Sequence, residues 1–287
     1  MMVMQYTTLI DTAALADELA NPSLAIVDCR ADLRDYAWGA REYEARHIPG
    51  AVPADLERDL SGEKTGTNGR HPLPRASDLA ATFSRLGIDD EGQVVAYDQD
   101  TGMYASRLWW LLRWLGHDRV AVLDGGFAKW LAEGRATAAG TETRTWRPFT
   151  PRPAPGMVVD VDDVAAAIGS RDWTLVDARA PERFRGDTEP LDRAPGHIPG
   201  AINHHFKSNL GEGGTFLPPD VLRARFRQML GTAADRVISY CGSGVTACHN
   251  LLALEHAGLP GGKLYPGSWS EWSSDPARAV GTGDSGL

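Results

Sequence analysis

The chain is written twice, and nothing else in it limits the possible folds so strongly. Ala25-Ile26-Val27-Asp28-Cys29-Arg30 resembles Thr174-Leu175-Val176-Asp177-Ala178-Arg179. His47-Ile48-Pro49-Gly50-Ala51 returns as His197-Ile198-Pro199-Gly200-Ala201. Val94 to Asp98 matches Val237 to Cys241, and Gly125 to Trp130 matches Gly267 to Trp272. The four matches keep their order while the spacing drifts, from 149 residues between Asp28 and Asp177 to 143 between Asp98 and Cys241. Chance matches of short motifs would not keep that order, so the pattern reads as a tandem duplication.

Each copy alternates short apolar runs with helical patterns, which predicts α/β architecture with a mostly parallel sheet flanked by helices. Strands are expected near 24–28, 93–97 and 120–123, then near 174–177, 236–240 and 263–265. Helices are expected near 77–86, 104–115 and 127–133, then near 162–168, 219–229 and 246–257. The expected division is a first domain over 1–140, a proline-rich extended linker over 141–156, a second domain over 157–280 and a flexible tail over 281–287. The repeated aspartates read as structural acids that fix a loop or pair with Arg30 and Arg179. The repeated His-Ile-Pro-Gly reads as a turn entering a strand, and Trp130 and Trp272 read as core residues.

With 43% apolar and 23% charged residues, a chain of 287 can bury a full core. A net charge of −9 argues against nucleic-acid binding. Three cysteines form neither a disulfide framework nor a zinc pattern. The N-terminus lacks the basic start and apolar core of a signal peptide, and no apolar run is long enough for a membrane span. A reducing, cytoplasmic setting is expected, with no cofactor and no metal.

The chemistry concentrates in Tyr240-Cys241-Gly242-Ser243-Gly244-Val245-Thr246. A strand ends, a glycine-bounded loop follows and a helix begins near Thr246. Backbone N–H groups at such a junction favour an anion, and so a thiolate nucleophile at Cys241. A small buried core cysteine is the alternative, but it leaves the Gly-Ser-Gly unexplained. The other copy has Asp98 at this position and no thiol in its loop.

These residues resemble the tandem-domain rhodanese-like sulfurtransferases over nearly the whole chain. Cys-Gly-Ser-Gly-Val-Thr-Ala is similar to the active-site loop of the 3-mercaptopyruvate sulfurtransferases, whereas thiosulfate-preferring rhodaneses carry two cations after the cysteine. The resemblance implies a Cys241 persulfide formed from 3-mercaptopyruvate, with thiosulfate as a further donor. Its outer sulfur would be stabilised by the backbone of Gly242, Gly244, Val245 and Thr246. A thiol, a thioredoxin-like protein or cyanide would then accept the sulfur. The first domain would be catalytically silent. By the same resemblance Arg183, in Arg-Phe-Arg-Gly, binds the donor carboxylate, and Arg193 is the nearest candidate for a second arginine. Ser243 binds the donor or relays a proton, His71 handles protons, and Asp55, ahead of Glu57, orients His71. A loop serine and a turn histidine are the plainer readings of Ser243 and His71. Missing two loop cations would cost thiosulfate recognition about 3–6 kcal/mol at ~1.5–3 kcal/mol per charged hydrogen bond.

Three other classes compete. A cysteine phosphatase needs an arginine six positions after its nucleophile, and Ala247 stands there. A cysteine protease needs a paired histidine base, and His249 lies on the helix behind the loop. A non-turnover sulfur carrier or regulatory interaction module would fit the first copy but not the second. Thiosulfate:cyanide sulfur transfer is the alternative within the same class.

Overall fold

Apolar runs without alternation make strands that are covered on both faces, as parallel strands between helices must be. In the computed structural model, which describes residues 5–231 and 233–284, Leu24–Asp28 is buried at all five positions. The first copy runs β1 (Leu9–Ile10), α1 (Thr12–Glu18), β2 (Leu24–Asp28), α2 (Trp38–Ala45), β3 (Ala51–Pro53), α3 (Ala76–Arg85), β4 (Gln93–Tyr97), α4 (Ala105–Trp114), β5 (Val120–Leu123) and α5 (Gly126–Ala132). The second runs α6 (Val161–Ala167), β6 (Thr174–Asp177), α7 (Pro181–Arg185), β7 (Ile202–Asn203), α8 (Pro219–Met229), β8 (Val237–Tyr240), α9 (Thr246–His256), β9 (Lys263–Leu264) and α10 (Ser268–Trp272). The first sheet has the order β1-β5-β4-β2-β3 and the second β7-β6-β8-β9, with every pairing parallel. Among the described residues no helix is long and apolar enough to cross a membrane.

The expected strands and helices appear within about two residues of their places. The elements not foreseen are eight-residue α2 and six shorter ones, β1, α1, β3, α7, β7 and α10, most of which hold too few residues for a period to show. α1 is set by its cap, since Asp11 accepts the Ala14 N–H at 2.8 Å.

Two compact units result. One comprises Met1–Ser61, Pro74–Ala154 and Glu212–Thr215; the other comprises Gly62–Leu73, Pro155–Gly211 and Phe216–Leu287. A segment of the first copy, 62–73, therefore belongs to the second unit. Pro148, Pro151 and Pro153 of the connecting stretch belong to the first unit, where Arg152 and Ala154 donate to the carbonyls of Leu115 (2.9 Å) and Trp114 (2.8 Å), and Pro155 begins the second. The first positions of the tail are hydrogen-bonded to the second copy. Gly281 exchanges two 2.9 Å backbone hydrogen bonds with His197, and Gly283 donates to Arg185. Of the seven tail positions, 285–287 lie outside the described residues.

The duplication recurs in the packing. One core gathers Ile26, Ile48, Val95, Tyr97, Phe127 and Trp130; the other gathers Leu175, Ile198, Ile238, Tyr240, Trp269 and Trp272 at matching positions. Beneath each, an arginine is fixed by the aspartate two residues earlier. Arg30 reaches Asp28 at 2.6 Å and the Arg46 carbonyl at 2.8 Å; Arg179 reaches Asp177 at 2.7 Å and the Gly196 carbonyl at 2.7 Å. Their guanidinium planes cover Phe127 (4.4 Å) and Trp269 (4.9 Å). His47 and His197 are wholly buried, each with Nδ1 2.7 Å from a carbonyl, of Tyr43 and Phe184 respectively. These residues are structural in both copies.

Candidate active site

Strand β8, paired on both sides, delivers Cys241 just past the carboxyl end of the second sheet, and the chain must then turn sharply into α9. Gly244 makes the turn at φ +78°. A Cβ there would lie 2.5 Å from the Pro266 carbonyl oxygen, so the close approach needs glycine. The Gly244 N–H points back along the loop and donates to Cys241 Sγ at 3.2 Å.

The start of α10 clamps the same loop. Ser268 Oγ accepts the Cys241 N–H at 3.1 Å and donates to the Tyr265 carbonyl at 2.9 Å. The N–H groups of Trp269 and Ser270 donate to the carbonyls of Cys241 and Gly242, both at 2.9 Å. Ser268 holds φ +55° and is the one non-glycine residue with positive φ among the described residues. A strained conformation of this kind costs about 1–3 kcal/mol and persists only where its neighbours enforce it.

His71 lies in the same unit through the 62–73 segment. Its Nδ1 is 2.7 Å from Ser243 Oγ, and both residues are buried. Arg70, beside it, had not stood out in the sequence. Its guanidinium comes to Gly242, where a Cβ would lie 2.8 Å from Nη2, with Arg183 Nη1 at 3.5 Å. Burial, and then the neighbouring Arg183 charge, lower the Arg70 pKa from its usual value. Arg183 stands at the end of α7, held by Glu189 at 2.6 Å and Asp192 at 3.1 Å. The signal for Arg70 was its adjacency to His71; its separation of 171 residues from Cys241 gave none.

Two expected residues are engaged elsewhere. Arg193 is exposed and donates to the Ser274 carbonyl at 3.0 Å. The second guanidinium at the loop is Arg70 instead. Asp55 belongs to the first unit. There its carboxylate accepts the N–H groups of Glu57 and Arg58, both at 2.9 Å, and pairs with the Arg58 side chain at 3.2 Å. Val245 is buried, and Thr246 opens α9. Cys248 is wholly buried and donates to the Gly244 carbonyl at 3.2 Å. His249 is stacked on Phe216 with ring centres 4.5 Å apart, and Asn209 Nδ2 lies 3.2 Å from its Nδ1.

The other copy shows what such a loop prefers to hold. Asp98, at the position of Cys241, accepts N–H groups from Asp100 (3.2 Å), Gly102 (2.9 Å), Tyr104 (2.7 Å) and Ala105 (3.2 Å). Burial raises its pKa to about 6, against the pull of those hydrogen bonds. One copy fills its ring of donors with a carboxylate, while the other presents a sulfur.

Comparison with known proteins shows the family and the paired domains. The model of the rhodanese-like domain matches twice, over residues 11–133 and 160–275. The "Probable 3-mercaptopyruvate sulfurtransferase" of Pseudomonas aeruginosa is 48% identical over 284 residues, 98% of this chain and 100% of that one. The human 3-mercaptopyruvate sulfurtransferase is 38% identical over 237 residues, 81% of this chain and 78% of that one. The crystal structure of SseA from Escherichia coli, described for the fold and mechanism of 3-mercaptopyruvate sulfotransferases, superposes with a TM-score of 0.80 at 34% identity and covers 93% of this chain and all of that one. With two matching domains, two parallel sheets and a cysteine-bearing loop in the second, this chain belongs to the tandem-domain rhodanese-like sulfurtransferases.

Proposed function

We propose that the protein moves sulfur from 3-mercaptopyruvate to a thiol acceptor through a persulfide on Cys241. The Cys241 thiolate attacks the donor sulfur and a sulfur–sulfur bond forms. The donor carbon–sulfur bond breaks, and its electron pair stays on carbon as the pyruvate enolate. The donor's thiol proton passes by way of Ser243 and His71 to that carbon, so pyruvate leaves and Cys241 keeps a persulfide anion. Gly244 N–H and the rest of the loop backbone stabilise the outer sulfur. An acceptor thiol then attacks that sulfur, restoring Cys241 and giving ping-pong behaviour.

One observation carries the choice of donor: the 2.7 Å contact between His71 and Ser243 beside the nucleophile. A carbanion leaving group needs a proton, whereas the sulfite leaving from thiosulfate needs none. Thiosulfate remains the second reading, favoured by the two guanidinium groups at Gly242. Steady-state assays with both donors decide between them, and a higher kcat/KM for 3-mercaptopyruvate is expected. Equal or reversed values would sink the preference. Intact-mass measurement after donor treatment is expected to show about 32 Da, one sulfur atom, on Cys241, removable by a thiol or cyanide. Sulfur accepted without multiple turnover would favour a carrier.

A further inference from the structure

Arg70 and Arg183 reach Gly242, one residue past the nucleophile, yet a single carboxylate already engages both. Asp192 pairs with Arg70 through Oδ1 and with Arg183 Nη2 through Oδ2 at 3.1 Å. Its side chain is only 3% exposed. Glu189 holds Arg183 at 2.6 Å and Arg179 at 3.1 Å, and Asp177 holds Arg179 at 2.7 Å. Arg70, Arg179 and Arg183 are thus matched by Asp177, Glu189 and Asp192. Such a balanced cluster offers little net field to an incoming anion until one carboxylate gives way. Glu189 also accepts the N–H groups of Leu191 and Asp192, at 3.0 and 3.1 Å, and is anchored in its own loop. Asp192 is the member that bridges the two arginines nearest Gly242.

We propose that Asp192 occupies, in the free protein, the place of the donor carboxylate, and that Arg70 and Arg183 form the clamp it vacates when the donor binds. The proposal rests on the functional reading above and adds to it an internal competitor and a second donor-binding arginine. Asp192 is then a positioning residue that sets donor affinity, and Arg70 is a specificity-determining one.

Pyruvate, which carries the carboxylate without the sulfur, is the probe. Its equilibrium binding is measured by calorimetry beside the KM for 3-mercaptopyruvate. Asp192→Asn is expected to tighten pyruvate binding and lower KM by threefold or more, and Asp192→Glu to return both toward the parent values. Arg70→Gln is expected to weaken pyruvate binding and raise KM by about tenfold or more, the loss of a charged hydrogen bond. Unchanged or weaker pyruvate binding in Asp192→Asn would overturn the competitor, and parent-like binding in Arg70→Gln would overturn the clamp. Should Asp192→Asn fail to fold, Asp192→Ser reads the competitor by the same pyruvate binding and is expected to tighten it, with unchanged or weaker binding overturning it, while Arg70→Gln, at a partly exposed side chain, reads the clamp. Failure of the parent protein to acquire sulfur from 3-mercaptopyruvate would strike the functional reading instead, and pyruvate binding does not depend on that chemistry.

Discussion

Cys241 and Cys248 are both tied to Gly244, but in opposite senses. The sulfur of Cys241 accepts the Gly244 N–H, whereas Cys248 gives its proton to the Gly244 carbonyl. The first sulfur is presented as an acceptor, whereas the second is engaged through its own S–H. Cys241→Ser is therefore expected to abolish sulfur transfer, and Cys248→Ser to keep most of it. Added sulfur found by mass spectrometry on Cys248 alone would reverse the assignment. His71→Gln would remove the proposed proton relay, and general acid–base catalysis is worth roughly 10²–10⁴-fold. Its kcat is expected to fall by that order with 3-mercaptopyruvate and clearly less with thiosulfate, so equal losses would point away from proton transfer. At this scale the sequence was most readable where residue type and spacing carry chemistry, as in Cys-Gly-Ser-Gly. Arg70 was hidden because a guanidinium has no spacing rule of its own. Arg193 stood out only by nearness in sequence, and its side chain found the Ser274 carbonyl instead.

The loop between β8 and α9 works only if its turn is tight. Gly244→Ala would strain a residue at φ +78° and push a methyl into the Pro266 carbonyl. The expected result is a loss of at least tenfold in kcat/KM and about 1–3 kcal/mol of stability, measured by assay and urea unfolding; a fully active variant would show that the turn relaxes freely. The arginine–aspartate pairs beneath the sheets are a different kind of support. Asp28→Ala leaves the buried Arg30 without that carboxylate and is expected to cost roughly 3–5 kcal/mol. A loss under about 1 kcal/mol, the range of an exposed pair, would contradict that. Strands such as Val94 to Tyr97 were legible because a continuous apolar run has few other uses. Two-residue β1 and five-residue α10 are set by hydrogen bonds to distant parts of the chain, which no local pattern records, whereas α7 has local marks, Pro181 at its start and Gly186 after its end, but is too short for a period to show.

Duplication gave the whole molecule two similar loops, and the one that holds Asp98 makes folding sensitive to pH. Asp98 has a folded pKa raised to about 6 by burial. Between about pH 4 and 6 the folded protein keeps a proton that the unfolded chain has released, so stability falls as pH rises through that window. Above it the ionised carboxylate costs folding roughly 3 kcal/mol. Asp98→Asn is expected to flatten this part of the stability–pH curve, and identical slopes for the two proteins would rule the effect out. The repeat itself was the most readable property of the chain, because four ordered matches survive drift. What the repeat concealed was the exchange of segments.

Residues 62–73 are encoded in the first copy and built into the second unit. Excision of the second copy at Pro155 would take the nucleophile and leave its histidine and one of its arginines behind. On the roles proposed for His71 and Arg70, selection on the reaction acts on both copies at once, including the copy whose loop carries Asp98 in place of the cysteine. Recombination that swaps one copy between relatives would separate Arg70 from Asp192, so the two would have to travel together.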